Sequence, residues 1–143
     1  MTEMLAIGRQ VLASQPFSAL MGAQLAHFAQ GEAVLEVPIS DKVRQQHGFV
    51  HGGVVSYAAD NAITFAGGSV LGPGVVTSEF KINYLRPAVG DKLVARASVL
   101  HAGKTQAVCR CEIYTVTKAQ ETLCAAAQGT IARVGAEPKQ EKE

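Results

Sequence analysis

A chain of 143 residues and 15.0 kDa has room for one hydrophobic core and little for a second. Its 48% hydrophobic and 17% charged residues exclude a disordered or fibrous class. With 13 Lys+Arg against 12 Asp+Glu, a net charge of +1, it lacks the basic excess that binding along nucleic acid requires.

Glu3 stands where a secretory leader needs basic residues. No apolar run approaches the roughly 20 residues of a membrane span, so a cytoplasmic protein without a membrane anchor is expected. Residues 3–14 set Leu5, Val11 and Leu12 among polar neighbours and predict a short amphipathic helix ending before Pro16. Phe17, Leu20 and Met21 lead to Gly22. The period then becomes two. Ala33, Leu35, Val37 and Ile39 share one face against Glu32, Val34, Glu36 and Pro38, which predicts a hairpin turning near Gly31.

Polar residues 40–50 lead to His51-Gly52-Gly53, and a helix follows to about Val70. Its Val54, Val55, Ala58, Ala62, Ile63 and Phe65 point around nearly the whole circumference, so enclosure is expected. Gly72-Pro73-Gly74 ends it. Four period-two segments, at about 75–87, 92–101, 105–117 and 121–133, read as an antiparallel meander. Ala107, Cys109, Cys111 and Ile113 share a face, as do Leu123, Ala125, Ala127 and Ile131, and these small residues let a helix lie close. Residues 1–134 are therefore expected to form a single domain, and the charged residues 135–143 a disordered tail. The fold expected is α+β: one antiparallel sheet of five or six strands wrapped around one central helix. Such a sheet leaves an edge and one helix flank open, which an isologous dimer would cover.

Asp60 is the outlier of the apolar helix. A carboxylate there is either satisfied at a polar seam between subunits or serves as a general base or nucleophile. Gly52 and Gly53, at the positive end of the same helix, expose N–H groups without intrahelical partners, a setting that polarises a carbonyl. His51 takes a supporting role. Arg86 and Lys104 sit at strand ends, where a phosphate-bearing ligand could be held or where they are ordinary solvated charges. His27, His47 and His101 show no paired spacing, and Cys109-x-Cys111 adds no zinc pattern, so no metal is expected. An odd number of cysteines in Val- and Ala-rich segments reads as core rather than as disulfides.

Gln45-x-x-Gly48-x-x-His51-Gly52-Gly53, then Asp60, Phe80-x-Ile82-x-Tyr84-x-Arg86-Pro87 and His101-x-Gly103-Lys104 together resemble the hotdog-fold acyl-CoA thioesterases of the phenylacetate-pathway (PaaI-like) type. The resemblance covers about residues 15–133. It implies dimers that pair into tetramers, with active sites across each dimer interface. It also implies that the Gly52 amide polarises the thioester carbonyl while Asp60 of the facing subunit activates water or attacks directly, with His51 shaping the oxyanion end. Gln45 stands where the family commonly has Asn, one methylene longer. Thr77 falls where relatives carry a water-positioning hydroxyl. Period two, however, puts Thr77 with Glu79, Lys81 and Asn83, opposite Phe80, Ile82 and Tyr84, unless a bulge re-aims it.

The implied function is hydrolysis of a small or medium acyl- or aroyl-CoA to free acid and CoA, with no cofactor beyond the CoA of the substrate. Two alternatives keep the fold: an acyl-thioester dehydratase or hydratase with His51 as base, and a non-catalytic acyl-CoA binding module.

Overall fold

The computed structural model describes residues 1–135, so the expected tail lies, but for Gly135, outside the described residues. Helix α1 (Glu3–Ala13) begins where the Thr2 side chain accepts the Leu5 N–H at 3.1 Å. A short α2 (Pro16–Met21), not expected from the sequence, starts on a proline and closes at Gly22, whose φ of 71° suits a residue without Cβ. Strands β1 (Gln24–Ala29) and β2 (Glu32–Pro38) form the expected hairpin, with Gly31 at φ 84° in its turn. Then come α3 (Gly52–Leu71), β3 (Val75–Tyr84), β4 (Lys92–Ala102), β5 (Gln106–Thr117) and β6 (Gln120–Arg133).

All six strands make one antiparallel sheet in the order β1-β2-β4-β5-β6-β3, curled around α3 as expected of the fold. The four-strand meander is corrected, because only β4, β5 and β6 follow one another. Strand β3 pairs with β6 at the far edge. Period two fixes which face a strand buries but not which neighbour it takes. Gly129 helps decide that neighbour: a Cβ there would lie 2.8 Å from the Glu79 carbonyl oxygen, so β6 accepts β3 closely only without a side chain.

Helix α3 buries Val55, Ala58, Ala62, Ile63, Phe65 and Ala66 against Leu35, Leu93, Ala95, Ile113 and Ile131 of the sheet. Gly67 sets the separation, since a Cβ there would meet Ile131 at 2.7 Å. Cys109, Cys111 and Cys124 are free and buried. Enclosure is incomplete: Ser56, Tyr57, Asp60, Asn61, Thr64 and Gly68, at three- and four-residue spacing, form a partly exposed and mostly polar stripe. This is the one flank of the helix expected to stay open, and it interrupts an apolar pattern that otherwise runs around the circumference.

Candidate active site

The chain reaches α3 through a braced loop. The Gln45 N–H donates to the Phe49 carbonyl at 2.8 Å, and the Gln45 Oε1 accepts the His47 N–H. The His51 N–H donates to the Val43 carbonyl at 2.8 Å. These bonds place His51 as the N-cap, and its Nδ1 accepts the Gly53 N–H at 2.9 Å. An accepting Nδ1 leaves the ring proton of neutral His51 on Nε2. The Gly53 amide is thereby occupied, so the structure does not leave it for the ligand contact expected of it.

Gly52 differs. It is the first residue of α3, and among the described residues its N–H meets no acceptor, while its carbonyl accepts the Tyr84 O–H at 3.1 Å. Gly52 lines a cavity of about 360 Å³ whose lining also includes Gln45, Val55, Tyr84, Arg86 and Cys124. Gln45, Gly52 and Arg86 are thus brought together around one space at the positive end of the α3 dipole. The Leu85 and Arg86 N–H groups both donate to the Cys124 carbonyl, at 2.8 and 3.3 Å, which anchors that wall. Burial pushes the Cys124 thiol up to about 11, against the opposing pull of Arg86.

Asp60 lies about 12 Å further along α3, at 1.5 Å per residue. Its Oδ1 accepts the Thr77 hydroxyl at 2.6 Å. Thr64, one turn later, donates to the Asp60 carbonyl at 2.8 Å and lies 3.1 Å from the Thr77 hydroxyl. Among the described residues no group donates to Oδ2, which is left to the open flank. Thr77 reaches Asp60 because the register of β3 against β6 shifts between Thr77 and Glu79. Val75 and Thr77 face the helix before the bulge, and Phe80 and Ile82 after it, so the surplus residue Ser78 turns Thr77 inward.

Within one chain Lys104 is remote from the Gly52 cavity. It sits in the β4–β5 turn, where the Thr105 carbonyl accepts the Arg133 N–H at 2.8 Å, and Arg133 pairs with Val75 at the start of β3. Arg86 follows the end of that 10-residue strand, about 30 Å away at 3.3 Å per residue. Two contributors escaped the reading of the sequence. Thr64 was signalled only by its i+4 spacing from Asp60, and the hydroxyl of Tyr84 had no local signal for its contact with Gly52.

A half-open carboxylate braced by a hydroxyl, and a free amide at a helix N-terminus, are the parts of an acyl-transfer site. The chain belongs to the thioesterase superfamily, whose family model matches residues 47–122. It is 34% identical over 116 residues to the acyl-coenzyme A thioesterase PaaI of Escherichia coli, covering 80% of each chain. It is 27% identical to the 1,4-dihydroxy-2-naphthoyl-CoA hydrolase of Listeria monocytogenes, over 73% of this chain and 85% of that one. A thioesterase family protein from Silicibacter pomeroyi superposes with a TM-score of 0.83 at 34% identity, covering 89% of this chain and 96% of the other.

Proposed function

We propose that the protein is a cytoplasmic acyl-CoA thioesterase that hydrolyses small or medium acyl- or aroyl-CoA to free acid and CoA, as a homodimer or homotetramer. One observation carries this reading. The free Gly52 amide and the half-open Asp60 carboxylate are each prepared for the same carbonyl chemistry, yet lie too far apart on one helix to share a substrate atom. Two chains with antiparallel α3 helices bring the amide of one to the carboxylate of the other. The unpaired outer edge of β3 gives such a pair its seam.

At each composite site the Gly52 N–H polarises the thioester carbonyl and holds the developing oxyanion. Asp60 of the partner subunit takes a proton from water as the water oxygen bonds to the carbonyl carbon. Collapse of the tetrahedral intermediate expels the CoA sulfur, which recovers that proton from Asp60. Thr77 fixes the carboxylate, and Arg86 with the Gln45 amide attends the CoA side of the Gly52 cavity. His51 acts by shaping the helix start. Water is the only co-reactant, and CoA enters as part of the substrate. If Asp60 instead attacks directly and water then opens the resulting anhydride at the Asp60 carbon, the acid from a single turnover in ¹⁸O water carries no label, whereas general-base catalysis places one ¹⁸O in it.

Asp60→Asn is expected to lower kcat by about 10²–10⁴-fold in a thiol-release assay while leaving the thermal midpoint near that of the parent. Retention of parental kcat would make the carboxylate structural. Tight acyl-CoA binding without thiol release by the parent protein would point to a binding module, and enoyl formation to a hydratase.

A further inference from the structure

One turn beyond Asp60, a cavity of about 560 Å³ opens between α1 and α3. This lies within the range of roughly 300–1,000 Å³ that small-molecule sites occupy. Its outer wall is α1. Met4, Ile7 and Val11 line it while remaining 36%, 52% and 44% exposed, an apolar flank turned toward space rather than toward core. Its inner wall carries Phe28 and Phe65, packed edge to face with centroids 5.4 Å apart. Thr64 lines the side nearest the carboxylate and is also the residue bonded to the Asp60 carbonyl, so the cavity begins where the candidate site ends.

We propose that this cavity receives the acyl portion of the substrate and that Ile7 and Val11 of α1 set its size limit. The assignment rests on the thioesterase reading. With the thioester carbon at Asp60, an acyl group would pass Thr64 and Asn61 at the mouth of the cavity to reach the two phenyl rings. The occupant is uncharged. Glu3 is the one ionisable side chain among the lining residues, so an acyl group ending in a carboxylate would be desolvated with no cation to meet it. The class selected is a medium-length or aryl-bearing apolar acyl group, over short acyl groups that leave the phenyl wall uncovered.

The test compares kcat/KM for octanoyl-CoA with that for acetyl-CoA. In Val11→Trp, and again in Ile7→Trp, the octanoyl-to-acetyl ratio is expected to fall at least tenfold. Both positions are half-exposed, so the larger ring enters the cavity without displacing core. Leu20→Trp, at a 74% exposed position of α2 outside the cavity, keeps the parental ratio. An unchanged ratio in both α1 variants overturns the proposal. So does a changed sedimentation coefficient with an unchanged ratio, which would mean that a second copy fills the groove. Parental hydrolysis of succinyl-CoA as fast as octanoyl-CoA also overturns it. If the parent protein releases thiol from no thioester, the proposed function fails instead. The cavity is then judged by Kd for the thioethers S-octyl-CoA and S-ethyl-CoA: a preference for S-octyl-CoA that Val11→Trp abolishes supports it, and no preference refutes it.

Discussion

At the scale of single residues, the site turns on one backbone N–H, which among the natural side chains only proline removes. Gly52 is the first residue of α3, a position where proline is tolerated because that amide has no intrahelical acceptor. His51 before it has φ −59° and ψ 134°, the extended conformation that a following proline favours. A Cβ at Gly52 would meet Tyr84 at 3.5 Å, an ordinary contact. Gly52→Pro should therefore fold, with a melting temperature within a few degrees of the parent, and lose about 10²–10³-fold in kcat, the usual cost of removing one oxyanion donor. Parental kcat in a folded Gly52→Pro protein would show that the amide polarises nothing. Gln45 behaves differently, since its Oε1 is engaged by the His47 N–H, leaving Nε2 as its donor toward the Gly52 cavity.

Elements were legible in the sequence where periodicity or a breaker marks them, and their partners were not. The hairpin at Gly31 and the helix between His51-Gly52-Gly53 and Gly72-Pro73-Gly74 carry strong local signals, and both form as expected. Within the site, the isolation of Asp60 in an apolar helix and the paired glycines at its start were readable because each breaks a local rule. The pairing of β3 with β6 was not, because it depends on contacts such as that of Gly129 with Glu79, some 50 residues apart in the chain. The inward turn of Thr77 depends on that same pairing: a bulge exists only relative to a partner strand, so alternation in β3 alone placed Thr77 outward. Helix α2 was hidden by its brevity. It is held on α3 by side chains from both, with Asn61 donating to Gln15 and Ser18 at 3.2 Å and Phe17 packed edge to face on Tyr57 at 5.0 Å. The place of Lys104 beside the start of β3, far from Arg86 within one chain, is likewise not carried by the order of residues along the chain.

For the molecule as a whole, the tight enclosure of α3 makes its stability sensitive to alkali. Burial pushes the Cys109 and Cys124 thiols up to about 11 from an ordinary 9.0, and raises Cys111 further still. The folded state therefore keeps protons that the unfolded chain releases. The stabilisation is fully present below pH 9 and is lost as pH rises through the folded values. Urea unfolding should show a loss on the order of 1–2 kcal/mol per thiol between pH 8 and 10.5. Cys109→Ala with Cys124→Ala should flatten that slope, and a slope unchanged by the pair would assign the alkaline loss elsewhere.

The separation of Gly52 from Asp60 along α3 also has a genetic side. In the proposed dimer each chain contributes half of two sites, so two defective alleles need not be defective together. A heterodimer of Asp60→Asn with Gly52→Pro would pair both lesions in one site and leave the other site entirely parental. Coexpression of the two inactive chains should then restore activity, about a quarter of the parental level if subunits mix at random. Two alleles lesioned at the same residue should restore none. Such complementation between inactive alleles, absent if each chain worked alone, would report from a culture which residues of the two subunits meet.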